Sequence, residues 1–118
     1  MRKPPIHRSI FNAFKGVYLM ITTERNFKIE FTAFLINIFL IFYLQLSKTD
    51  ALLILMVCFG VLCVETVNTA IEKLCDIVQP DFDKRIGFIK DIAAGAVALM
   101  TFLSIITGIC IYSSYISF

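Results

Sequence analysis

From Ala51 to Val64 the chain carries no charged side chain, and Glu65 then breaks the run at the start of Glu65-Thr66-Val67-Asn68-Thr69-Ala70-Ile71-Glu72. A helix turns by about 100° per residue, so Asn68 falls within one turn of Glu65 and Glu72 lies almost directly above it. Asp76 lies on the same stripe. Three carboxylates and a carboxamide thus share one face of a helix whose other faces are Val, Leu, Cys and Ile. An ionisable residue at membrane depth costs about 2.5–3.5 kcal/mol on insertion scales, which marks Glu65 as a candidate functional group.

Composition explains why that depth is a membrane's. Of 118 residues, 58% are hydrophobic and only 17% charged, and mean hydropathy is +0.83. Soluble domains are roughly 45–50% apolar and about 25% charged, so this chain belongs in lipid. Its length allows one compact unit over 1–118. Cys58, Cys63, Cys75 and Cys110 show no metal-ligand spacing and read as small packing residues. The basic N-terminus lacks a short apolar stretch with a cleavage site, so no cleaved signal is expected.

The pattern predicts an all-α membrane protein. Pro4-Pro5 opens a surface helix at about 5–23, with Ile6, Ile10, Phe14, Val17 and Ile21 on one side and Arg8, Asn12 and Lys15 on another. Three spans follow at about 29–46, 51–78 and 92–116. The second is too long for a hydrocarbon core of about 30 Å, so its last turns emerge carrying Glu72, Lys73 and Asp76. Gln79-Pro80 ends it, and Asp81 to Asp91 reads as a charged loop. The small residues Ala93-Ala94-Gly95-Ala96 open the third span and favour close helix approach.

Arg2, Lys3, Arg8, Lys15, Arg25, Lys28, Lys73, Lys84, Arg85 and Lys90 fall on one side of these spans and Lys48 on the other. The positive-inside rule then places the N-terminus in the cytoplasm and the C-terminus outside. Glu65 comes near the inner membrane surface, with Glu72 about 10 Å closer to the cytosol.

Polar side chains between spans often act as packing glue worth about 0.6 kcal/mol, which accounts for Asn37, Thr32 or Gln45. Glu65 fits that role poorly, because amides and hydroxyls supply the same contacts without a charge to desolvate. The other reading joins groups on the cytoplasmic face. Glu24 and Glu72 suit a divalent cation of the kind held by one or two carboxylates plus substrate phosphates. Lys90-Asp91 offers a phosphate cation beside an acceptor. Together with a buried base, this suits phosphoryl transfer to a lipid hydroxyl, where the protein mainly positions groups and neutralises charge. Neither a G-x-x-x-x-G-K-[ST] loop nor a protein-kinase catalytic loop occurs, and the lone His7 reads as an incidental surface residue. Two other classes are a small proton or cation carrier using Glu65 and Glu72 as a relay, and a non-catalytic membrane subunit. A relay needs polar residues in the outer half of the bundle, where Leu52 to Cys63 has none beyond cysteine.

Val64-Glu65-Thr66-Val67-Asn68-Thr69-Ala70-Ile71-Glu72, with Lys90-Asp91 and Ala93-Ala94-Gly95-Ala96 downstream, resembles the small prokaryotic diacylglycerol kinase family, which includes undecaprenol kinases. The resemblance spans nearly the whole chain. It implies a homotrimer in the bacterial inner membrane, with ATP and Mg²⁺ from the cytosol, a lipid alcohol as acceptor and no nucleic-acid partner. By motif position Glu65 resembles the general base, and Glu24 and Glu72 the metal carboxylates. Asn68, Lys90 and Asp91 correspond to residues around the nucleotide phosphates. Asn12 and Lys15, before Gly16, match the surface-helix part of the nucleotide and lipid sites, and Glu30 a polar position near the lipid entrance. The chain departs from the family in having Asp81-Phe82-Asp83 where members often carry Glu-Tyr-His, and Pro5 where some carry an arginine. Its Thr-Val-Asn-Thr segment looks more like undecaprenol kinases than diacylglycerol kinases.

Overall fold

The computed structural model describes residues 2–116 as four α-helices: α1 (Ile6–Thr23), α2 (Arg25–Tyr43), α3 (Lys48–Val78) and α4 (Lys84–Tyr112). Helices α2, α3 and α4, of 19, 31 and 29 residues, are long and apolar enough to cross a membrane. At about 1.5 Å per residue even α2 approaches the hydrocarbon thickness, and α3 exceeds it.

The breaks between helices follow from local chemistry. Glu24 alone separates α1 from α2, with extended backbone at φ −102°, ψ 117°. Between α2 and α3, Leu46 N–H bonds to Ile41 O at 3.1 Å and Gln45 N–H to Phe42 O at 3.3 Å. This is a Schellman closure with Gln45, at φ 54°, in the left-handed position that glycine usually fills. Ser47 caps α3 by accepting the Asp50 amide at 3.2 Å. Tyr115 clasps the same turn, its hydroxyl accepting Ser47 N–H at 3.0 Å and donating to Asp50 Oδ2 at 2.6 Å. One turn earlier, the Tyr112 hydroxyl donates to Asn37 Oδ1 at 2.6 Å.

The charged loop expected over 81–91 is shorter than its composition suggests, because α4 already begins at Lys84. Asp83 caps it, accepting the Arg85 amide at 2.8 Å and the Arg85 guanidinium at 2.9 Å. Those bonds hold the Asp83 carboxyl down to about 2. Charged residues stop a helix from entering lipid, and they do not stop it from forming in water. Likewise α2 starts at Arg25 and α3 at Lys48, ahead of their apolar runs.

Helix α3 is the centre of the molecule, packed against α2 and α4, with α1 joined to α2. Its seam runs Ile54, Val57, Val61, Glu65, Asn68, spaced three and four residues apart, and Ile54 is only 1% exposed. Gly60 lets α4 approach, since a Cβ there would run into Met100 Cε. Met20 and Ile21 tie the end of α1 to Phe27, Phe31, Phe34 and Leu62. Large apolar side chains such as Ile36, Phe39, Leu99 and Ile109 remain exposed, the surface expected of helices solvated by lipid rather than water.

Candidate active site

Glu65 is 4% exposed, Asn68 7% and Thr69 6%, the buried polar residues of the described chain. They are buried together because the seam of α3 continues unchanged where its side chains turn from Val and Leu to Glu and Asn. The Asn68 amide donates to Glu72 Oε1 at 3.2 Å. Its own Oδ1 is buried with no hydrogen-bond partner. An unpaired buried oxygen costs about 1–3 kcal/mol, so Asn68 Oδ1 is a position for a water or a ligand.

Glu65 and Asn68, but not Thr69, line a cleft of about 510 Å³ whose wall also takes Glu72 from α3, Asn26 from α2, and Ala94 and Thr101 from α4. On α4 the wall is small at Ala94 and Ala98 and bulky at Val97, Phe102 and Ile105. Glu24 sits at its rim, where Lys73 Nζ meets Glu24 Oε1 at 3.5 Å. That pair holds the α1–α2 break against α3 at the residue next to Glu72.

The other residues singled out by the sequence are spread around this centre. Lys90 donates to Asp76 Oδ1 at 2.6 Å and lines a neighbouring hollow of about 210 Å³ with Gln79 and Asp83. Asp91 is exposed beside it. Asn12 and Lys15 are exposed on α1 and do not line the cleft. Glu30 is half-buried in a separate cavity of about 270 Å³ between α2, α3 and α4. Its Oε2 is buried without a partner. Asp83 is taken up by its cap to Arg85.

Two participants escaped the sequence reading. Asn26 stands in the polar stretch Glu24-Arg25-Asn26, and its spacing of four from Glu30 puts both on one face of α2. The pairing of Lys73 with Glu24 crosses two helices and leaves no trace in spacing. Among the described residues no three His, Cys, Asp or Glu side chains cluster to hold a metal by themselves. A cation at this cleft would therefore complete its shell with oxygens from a substrate.

What the arrangement offers chemically is a buried carboxylate for a proton, with an unpartnered amide oxygen and a second, half-buried carboxylate beside it. The model of the prokaryotic diacylglycerol kinase family matches residues 11–112. The undecaprenol kinase of Bacillus subtilis (strain 168) is 30% identical over 105 residues, which cover 89% of this chain and 85% of that protein. The chain therefore belongs to the prokaryotic diacylglycerol kinase family and is a lipid kinase of the membrane.

Proposed function

We propose that the enzyme transfers the γ-phosphoryl group of ATP to the hydroxyl of undecaprenol or diacylglycerol, with Glu65 as general base. The observation that carries this reading is the buried Glu65 carboxylate opening into the same cleft as Asn68 and Glu72. Glu65 takes the hydroxyl proton, the lipid oxygen forms a bond to the γ-phosphorus, and the bond to the β-phosphate oxygen breaks to release ADP. Positioning and charge neutralisation supply the rest. The name of the Bacillus subtilis relative favours undecaprenol.

Glu24 and Glu72 are the residues to hold Mg²⁺, and the unpartnered Asn68 Oδ1 adds a hard oxygen of the right kind beside them. When bound, the cation neutralises phosphate charge. Lys90 and Asp91 contact phosphates, Asn12 and Lys15 reach the nucleotide from α1, and Glu30 lies along the path of the lipid. In this reading α1 is an amphipathic helix on the cytoplasmic surface of the inner membrane, the N-terminus is inside and the C-terminus outside. The single membrane unit assembles as a homotrimer, whose contacts cover part of the exposed apolar surface. The test is purified protein in detergent with γ-labelled ATP, offered undecaprenol and diacylglycerol side by side. Label in a lipid phosphate is expected, and label in neither overturns the proposal.

A further inference from the structure

The chemistry assigned above gives Lys73 no part, although its ammonium lies 3.5 Å from Glu24 Oε1. The pair is loose. Charge-assisted N–H···O bonds run about 2.7–2.9 Å, and the Lys73 side chain is 69% exposed against 26% for Glu24. Exposed pairs of this kind contribute little, so the ammonium leaves Glu24 at small cost, and its flexible stem lets it swing to a new partner.

The Glu24 carboxylate is otherwise uncommitted. Glu24 stands at the N-cap of α2, where an acidic side chain ordinarily accepts a first-turn amide, and it makes no such bond. Only its main chain serves the helices there: its N–H donates to Met20 O at 3.1 Å, and its carbonyl accepts Lys28 N–H at 3.0 Å. Its side chain meets α3 instead, at the residue after Glu72. There it is close enough to the Glu65 carboxylate for the two charges to interact.

Two kinds of ligand for this carboxylate affect Lys73 in opposite ways. A bare divalent cation brings like charge to the ammonium and displaces it from Glu24 with no new partner to offer. A cation that carries a nucleotide's phosphates brings oxygens with more negative charge than one carboxylate, within reach of a side chain that was touching Glu24. Displacement is then an exchange of one anion for another.

We infer that Lys73 is an exchangeable counter-ion, paired with Glu24 in the ligand-free enzyme and transferred to a phosphate oxygen of the nucleotide when Glu24 turns to the cation. Lys73 thereby admits the cation as its nucleotide complex in preference to the bare ion. The inference rests on the reading of Glu24 as a metal carboxylate.

Binding of Mn²⁺ to the full-length protein in detergent tests this without turnover. Mn²⁺ alone is followed by the loss of its free-ion EPR signal, and its preformed complex with β,γ-methylene ATP by titration calorimetry. Lys73 is exposed, so Lys73→Met leaves the packing of the bundle untouched. It is expected to tighten Mn²⁺ alone about threefold and to weaken the nucleotide complex about fivefold, shifts of the size that exposed charge pairs produce. Lys73→Arg keeps the charge and should stay within about twofold of the parent in both titrations. Affinities that both weaken in Lys73→Met would make Lys73 a strut for Glu24, and that result overturns the inference. Affinities that both tighten, or an unchanged value in either titration, overturn it as well. Lys28, four residues further along α2, makes no ion pair among the described residues. Lys28→Met should therefore show no opposed shift, and one of equal size there would assign the effect to surface charge and remove Lys73 from the exchange. Glu24→Ala separates the inference from the reading beneath it. Mn²⁺ binding weakened by Glu24→Ala, without opposed shifts in Lys73→Met, strikes the inference alone. Mn²⁺ binding unchanged by Glu24→Ala removes the metal reading and the inference with it.

Discussion

Glu65 and Glu72 are chemically the same residue on the same helix face, and their surroundings divide the work between them. Glu65 is 4% exposed, whereas Glu72 is half-buried and accepts from Asn68. Burial suits a base that must exclude water, and partial exposure suits a carboxylate that meets ions from solution. Glu65→Gln keeps the shape and cannot take a proton, so turnover should fall by at least about 10²-fold with nucleotide affinity retained. Single-turnover kinetics beside equilibrium nucleotide binding check both halves, and near-normal turnover would sink the base. Alanine at Glu24 or Glu72 should weaken nucleotide binding in a manner partly restored by added Mg²⁺, as titration calorimetry at several Mg²⁺ concentrations will read. Lys90 is held by Asp76 at 2.6 Å. If its ammonium neutralises the phosphates, Lys90→Met should cost about 10²–10³-fold in kcat, the loss typical of one donor to a developing anion. An ordinary membrane anchor would cost little, because Lys84 and Arg85 remain within about two turns of it at the start of α4.

At the scale of helices, the number and kind of elements could be read from the apolar runs, since only a helix satisfies its backbone inside lipid. Their ends could not: α2 and α4 start in charged sequence ahead of the apolar runs and end at Tyr43 and Tyr112, short of the expected 46 and 116. Lys84 to Lys90 is the clearest case: the charges suggested loop, and the Asp83 cap made helix. The same division holds for the site. Glu65, Asn68 and Glu72 were legible together because one helix carries them at fixed spacing. Asn26 and the Lys73–Glu24 contact depend on how helices meet, which spacing does not encode. Where α3 meets α4, Gly60 accommodates Met100. Gly60→Val should push the helices apart and destabilise the bundle by about 1–3 kcal/mol, the usual cost of overpacking. Since the contact is the flexible end of a methionine, Met100→Ala should return most of it. A double-mutant cycle on unfolding in mixed micelles measures the recovery, and additive losses would show that Gly60 matters for another reason.

For the whole molecule, the distribution of basic residues predicts a direction that the bundle alone does not. With Lys48 as the one cation at the α2–α3 end, that end should face outward. A cysteine placed at Ser114, in a chain whose own cysteines are replaced by serine, should react with an impermeant maleimide on intact cells. One placed at Lys84 should react only after permeabilisation, and the reverse pattern would invert the topology. The same end carries the Tyr112–Asn37 and Tyr115–Asp50 bonds, which join positions 75 and 65 residues apart. During synthesis the hairpin of α2 and α3 therefore enters the bilayer with the Asn37 amide oxygen and the Asp50 carboxylate still waiting for their donors. Both donors lie at the end of α4, so these two polar groups can be silenced only after the last helix has been made and threaded. Until that moment the nascent hairpin is a different object from the folded one: a pair of helices with exposed acceptors, to be shielded by water, lipid headgroups or the insertion machinery.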